Sequence, residues 1–346
     1  MDKDQPRHIQ RILTRDPSVP KGQVVKTRYS RKVTAAAVIL GATAALSGCG
    51  LSGEYEDSGG DDELVIGLAV ANQQADFFNM VRIAAEERAE EAGVDLVIND
   101  AMGDANTQVS QIQNFITQDV DAIIYIPAGS AAASVPVRDA READIPVVTV
   151  DRNPETEPGD TFIASDSVAA AEELGEWVGE QTGGTGQIAA IQGQVGTTPE
   201  IDRDTGFTQA MENYPDMEEV ARQSSDQWSQ SEGFDIATDM LQRHPDLDVF
   251  FGRADALALG AASAARNAGR ADDMLIVGFD GDVAGLEGVR DGVLDATVTQ
   301  QTYKMGGLAI DSALALANGE DVPEVQLQDA ILTTQENAEE FIEDHP

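Results

Sequence analysis

Lysine is almost missing from most of this 346-residue chain: after Cys49 there is one, Lys304. Cysteine is rarer still, with Cys49 alone, so no intramolecular disulfide can form. The three histidines, His8, His244 and His345, are far apart, and with one cysteine they make no His/Cys metal cluster. Aromatic residues reach only 5%. No apolar run attains the roughly 20 residues that a comfortable membrane span needs. A Walker loop, a complete dinucleotide fingerprint, an EF-hand loop and a nucleophile elbow are all lacking. Carboxylates are too plentiful for one pair to stand out as an acid/base couple. No enzymatic activity, no cofactor and no metal site is expected.

Acidic side chains take the place of lysine. The formal net charge is −40, from 62 Asp and Glu against 22 Lys and Arg. Residues 1–49 hold nine of the basic residues and three of the acids, which leaves 13 basic and 59 acidic residues, a net of −46, on the rest. Self-repulsion at that charge opposes compaction in dilute buffer, and salt relieves it by screening. Binding to nucleic acid through its phosphates is excluded. The hydrophobic fraction of 42% is nevertheless ample for packed cores, and the length suits two domains.

The basic end reads as a leader. Arg28, Arg31 and Lys32 precede an apolar stretch from Val33 to Leu46, which closes in Leu46-Ser47-Gly48-Cys49. A stretch of about 14 residues suits the apolar region of an export signal. Small residues before a lone cysteine look like a lipobox, with cleavage before Cys49 and lipid on its thiol; stable anchoring takes more than one acyl chain. An uncleaved anchor helix and a buried free thiol remain open. Ser30-Arg31-Lys32-Val33 resembles a weak twin-arginine signal, while Met1–Gln23 is polar and unlike a signal's basic end, which fits a start nearer Val24 or Val25. Residues 1–49 are thus read as an export signal with lipobox, and 50–63, rich in Gly, Ser and acids, as a flexible tether.

From Leu64 on, short apolar runs alternate with helical spacing. Leu64–Val70, Val94–Asn99, Ala122–Ile126, Pro146–Val150 and Thr161–Ile163 predict strands; Phe77–Ala92, Asn106–Gln118 and Ala131–Ala143 predict helices, with Asn106 as a cap. The alternation restarts at Val168 and runs through strands at Gln187–Ile191, Glu219–Ser224, Asp248–Phe251, Met274–Gly278 and Asp295–Thr299. A long helix, Tyr303–Asn318, then leads to one last extended segment, Val325–Thr333. Repeated β-α-β order with apolar, β-branched strands argues for parallel sheets covered by helices on both faces, in two Rossmann-like α/β lobes.

Ligands of such open sheets sit beyond the carboxyl ends of the strands. Polar groups fall there in sequence. Asp151-Arg152 follows Val147–Val150, Arg203 follows the Gly193–Gly196 loop, Asp280 follows Ile276–Phe279, and Gln300 follows Thr297–Thr299. Asp and Gln exchange hydrogen bonds with hydroxyls, and Arg grips two neighbouring oxygens. Phe77, Phe78 and Trp228 offer flat faces to the C–H side of a ring. Plainer roles stay open for each: core packing for Phe78 and Trp228, a surface ion pair for Asp151 with Arg152, pairing of Arg203 with Asp202 or Asp204, a turn for Asp280 and a hinge for Gln300.

Phe77-Phe78, Ile145–Arg152, Ile163–Asp166, Val277–Gly281 and Ala296–Gln300, in this order, resemble the ribose/galactose/xylose-type periplasmic binding proteins of type I over roughly 64–325. The resemblance implies two lobes joined by a three-segment hinge, a monosaccharide or polyol as ligand, capture by hinge closure, and an ABC permease as partner. It implies ligand contacts from Phe77, Phe78, Asp151, Arg152, Arg203, Trp228, Asp255, Asp280 and Gln300. Crossings near Ser165–Asp166, Gln300–Gln301 and Asp329–Leu332 would make one lobe of 64–165 plus 301–329 and another of 166–300 plus 330–346. Ala75-Asp76 stands where ribose binders have an amide before the Phe pair. Ala254-Asp255 stands where they have Asn-Asp, with Arg253 available as a substitute contact. These departures leave another pentose, a hexose or a cyclitol as ligand. The acidic, lysine-poor composition likewise resembles proteins of salt-loving archaea. A monomer is expected, outside the cell membrane and tethered to it. A ligand-presenting sensor subunit is the alternative. A transcription regulator with the same core would need a basic helix-turn-helix, where this chain has an acidic tether.

Overall fold

The structure, a computed structural model, describes residues 64–343 apart from residue 131. The leader with Cys49, the tether at 50–63 and the last three residues lie outside the described residues. Strands and helices alternate as β1 (Val65–Val70), α1 (Asp76–Ala92), β2 (Asp95–Asp100), α2 (Ala105–Thr117), β3 (Ala122–Tyr125), α3 (Ser134–Glu142), β4 (Val147–Val150) and β5 (Thr161–Ser165). The second series is α4 (Ser167–Gln181), β6 (Thr185–Gln192), α5 (Thr198–Met211), β7 (Asp216–Ser224), α6 (Gln230–Arg243), β8 (Val249–Gly252), α7 (Asp255–Asn267), β9 (Leu275–Val277), α8 (Val283–Arg290) and β10 (Ala296–Thr299). It is followed by α9 (Thr302–Ala317), β11 (Val325–Gln328), β12 (Ile331–Thr334) and α10 (Ala338–Glu343).

The strands form two six-stranded sheets, in the orders β11-β5-β4-β3-β1-β2 and β12-β10-β9-β8-β6-β7. All pairings are parallel except β10 with β12. Two α/β lobes result, as the alternation predicts. Side-chain period two builds both faces of each sheet. In the first lobe Ile66, Leu68, Val70 and Ile124 pack with α1 and α9, while Ala69, Ile123 and Tyr125 face Ile112 and Phe115 of α2 and Val137 of α3. In the second, Phe250 and Ile276 pack with α6 and α7; Val249, Phe251 and Val277 pack with α4 and α5. Strands covered on both sides read as continuous apolar runs, which is why they were visible in sequence.

Two predictions need correcting, and one element is added. The segment 325–333 is two strands: β11 runs parallel to β5 in the first sheet, and β12 runs antiparallel to β10 in the second. The α2 cap is Asp104, whose carboxylate accepts from Thr107 N, since the helix starts one residue before Asn106. The C-terminal helix α10, packed on α8, was not foreseen.

The chain passes from one sheet to the other between β5 and α4, between β10 and α9, and between β11 and β12. No helix of the described residues is long and apolar enough to cross a membrane.

Candidate functional site

The carboxyl ends of β1 to β4 face those of β6 to β9 across a cavity of about 570 Å³. One lobe contributes Phe77, Phe78, Asp151 and Arg152 to its wall, and the other Arg203, Trp228 and Asp280. Parallel strands in register end together, so residues more than 200 positions apart meet there.

Two acid–base pairs face each other. In the first lobe Arg152 Nε lies 3.3 Å from Asp151 Oδ2, outside hydrogen-bond geometry, and its Nη1 donates to Pro127 O at 3.0 Å. In the second, Arg203 Nη2 lies 3.0 Å from Asp280 Oδ1, and its Nη1 donates to the Arg253 carbonyl. Aromatic rings hold both guanidiniums: Arg152 sits 5.2 Å from the Phe78 centroid and 5.8 Å from Trp228, Arg203 4.0 Å from Phe279 and 5.7 Å from Trp228. Phe77 meets Phe78 edge-on at 5.2 Å.

Burial dominates the electrostatics. It pushes the Asp280 carboxyl up to about 7 against the opposing pull of Arg203, and it raises Asp151 and lowers Arg152. Each guanidinium of this inner wall is matched to one carboxylate, so the four groups offer directed hydrogen bonds. Asp151, Trp228 and Asp280 all have positive φ, at 62°, 55° and 131°. Non-glycine residues in that region are strained and gather at functional sites.

Trp228 owes its place to Gly193. A Cβ at Gly193 would overlap the indole ring, so only glycine lets the ring lie against the β6–α5 loop. Ser225 Oγ accepts from Trp228 N at 2.8 Å and fixes the turn. Trp228 Nε1 and the Nε atoms of Arg152 and Arg203 are buried and have no acceptor in the protein.

Two predicted contacts stand behind the wall. Asp255 is fully buried at the start of α7, where its carboxylate accepts from Gly281 N at 2.8 Å, Asp282 N at 3.1 Å and the Thr297 hydroxyl. It therefore holds the loop that carries Asp280 and does not face the cavity. Burial, then the charges of Asp282 and Asp280, drive its carboxyl well above the usual range. Gln300 donates to Asp280 Oδ1 at 2.8 Å and is also absent from the wall. Nor does Arg253 substitute for a lost amide. Its guanidinium is consumed by Glu200 and Asp204, with Nη1 donating to Glu200 O at 3.1 Å.

Glu200 was missed. It accepts from Gln192 Nε2 at 2.8 Å and Gly193 N at 2.7 Å, tying Arg253 to the loop under Trp228. A signal existed: Glu200, Arg203, Phe207 and Ala210 share the buried face of α5 at helical spacing. Asp76, Asp226 and Asp282, also unforeseen, line the cavity nearby. The lobes touch beside it, where Asn153 N donates to Thr198 Oγ1 at 3.0 Å, Ser130 Oγ to Val195 O at 3.3 Å, and Val283 N to Asp76 Oδ2 at 3.4 Å.

Residues 66–321 match the family model described as periplasmic binding protein domain. The ribose import binding protein of Bacillus subtilis is 33% identical over 266 residues, 77% of this chain and 86% of that protein. A solved ABC transporter solute-binding protein from Bacillus halodurans with bound myo-inositol superposes with a TM-score of 0.77 at 30% identity, covering 82% of this chain and 99% of the other. The arabinose ABC transporter binding component of Shewanella sp. ANA-3, with bound L-arabinofuranose, does so at 0.76 and 31% identity, covering 81% and 95%.

Proposed function

This chain belongs to the periplasmic binding protein domain family, as a non-enzymatic solute-binding protein of a sugar or polyol ABC importer, and we propose that it captures one monosaccharide or cyclic polyol by closing its lobes over it. One observation carries the reading: Asp151 and Arg152 on one lobe face Arg203 and Asp280 on the other, with Trp228 between, across a single cavity. Ligand hydroxyls bridging both pairs stabilise the closed arrangement through contacts an open one lacks. Each carboxylate of these two pairs is matched by a guanidinium, so what the four groups offer a ligand is directed hydrogen bonding to hydroxyls. In this reading Phe77, Phe78 and Trp228 flank the ring, while Asp255 and Gln300 act through Asp280.

The three chain crossings serve as the hinge, dividing the protein into 64–165 plus 301–329 and 166–300 plus 330–346. The importer's permease receives the closed, loaded form. Lipid on Cys49 holds the protein at the outer face of the membrane, a reading supported by the leader sequence. The acidic, lysine-poor surface is an adaptation to high salt, supported by the net charge of −40.

Thermal-shift screening of pentoses, hexoses and inositols, at 2 M and 0.1 M NaCl, tests these points. A stabilising sugar or polyol is expected, its effect lost in Asp151→Ala and in Arg203→Ala, with a lower melting temperature at low salt. Undiminished binding by both variants would refute the site, and a salt-independent melting temperature would refute the adaptation.

A further inference from the structure

Among the bonds that join the two lobes, one runs both ways. Thr198 Oγ1 accepts from Asn153 N at 3.0 Å and donates to Asn153 O at 3.3 Å, as a hydroxyl can. A single side chain of the second lobe thereby satisfies both backbone polar groups of a first-lobe residue. The bonds from Ser130 Oγ to Val195 O, at 3.3 Å, and from Val283 N to Asp76 Oδ2, at 3.4 Å, run one way only. Both partners of the two-way bond are fixed within their own lobes. Asn153 directly follows Asp151 and Arg152, and its side-chain oxygen accepts from Gly159 N at 3.1 Å, which folds the β4–β5 loop onto itself. Thr198 is the first residue of α5, and Pro199 beside it suits that end of a helix. The same helix carries Glu200 and Arg203. The bond therefore sets the stretch with Asp151 and Arg152 in register with the helix that bears Arg203. Neither Asn153 nor Thr198 lines the ligand cavity; both line a second one, of about 580 Å³, which shares Arg152 with the first.

We infer that Thr198 is a positioning residue: its hydroxyl latches the closed lobes through Asn153 and so raises affinity for the sugar without touching it. The effect on affinity rests on the sugar-capture reading above, whereas the bond itself rests on geometry alone. When the lobes part, water takes over the backbone groups of Asn153, so only the surplus of a protein bond over a water bond counts. Two such bonds from one hydroxyl shift the balance of closed and open lobes, and with it the affinity, by about five- to tenfold. That change falls on release, because capture begins from the open arrangement.

Isothermal titration of the whole protein in 2 M NaCl with D-ribose, L-arabinose, D-galactose and myo-inositol tests the inference. Thr198→Val keeps the branched shape and loses the hydroxyl; Thr198→Ser keeps the hydroxyl. Thr198→Val is expected to bind whichever of the four the parent binds about five- to tenfold more weakly, with release faster by the same factor. Thr198→Ser is expected to stay within about twofold of the parent. Undiminished affinity in Thr198→Val, or an equal loss in both variants, would overturn the inference while sugar capture stands. If the parent binds none of the four, hydrogen exchange at the Asn153 amide decides. Faster exchange in Thr198→Val than in the parent and Thr198→Ser upholds the latch, and equal exchange in all three sinks it.

Discussion

Asp280 sets two properties against each other. Its carboxyl is pushed up to about 7 in the folded protein, chiefly by burial, while the unfolded chain keeps a value near 3.8. A folded-state pKa above the unfolded one means that the group's stabilisation is fully present below about pH 4 and is lost as pH rises through about 7. Between pH 5 and pH 8 the loss from this group is about 2.5 kcal/mol, which lowers the melting temperature of a protein this size by about 5 °C. Asp280→Asn keeps an acceptor for Gln300 and Arg203 but removes the titration. In thermal unfolding at constant 2 M NaCl, the drop in melting temperature from pH 5 to pH 8 should be about 5 °C smaller in the variant than in the parent. The repulsion among surface carboxylates follows the same sign in both and cancels in the difference. Ligand binding should run the other way, since an ionised Asp280 accepts hydroxyl donors best above pH 7. Equal slopes in the two proteins would refute the reasoning.

Arg253→Met should cost about 3–5 kcal/mol, because Glu200 would keep a buried charge without its counter-ion. Adding Glu200→Gln should restore part of that loss in thermal unfolding; a double variant no more stable than Arg253→Met would argue against the pair. Gly193→Ala should displace the Trp228 indole, weaken sugar binding about tenfold or more by titration, and shift tryptophan emission. Unchanged emission with unchanged affinity would show that the ring does not depend on Gly193.

Much of the cavity could be read from sequence because parallel sheets align their functional residues at strand ends. Asp151, Arg152 and Asp280 follow or adjoin an apolar run, Arg203 lies in the helix after one, and each reaches the wall. Asp255 and Gln300 satisfied the same positional rule and yet turned away from the cavity. Their hydrogen bonds go to Gly281, Asp282 and Asp280, partners supplied by neighbouring strands. Arg253 was likewise spent on Glu200, 53 positions earlier. Where a buried polar atom finds its partner depends on long-range packing, which local spacing does not encode.

The division of 325–333 makes the same point about the fold. Local spacing in Val325-Gln326-Leu327-Gln328-Asp329-Ala330-Ile331-Leu332 marks no break, since both halves favour extended backbone; only the resemblance pointed to a crossing near Asp329–Leu332. The break exists because one half completes the ladder beside β5 and the other the ladder beside β10. Composition, short apolar runs and helical spacing by themselves determined the two α/β lobes, the acidic balance and the ends of the strands, because those follow from which side chains shun water and how often they recur. Tertiary structure alone decided which charges faced the cavity and which were buried against one another. Those outcomes hang on desolvation and partners brought from far along the chain.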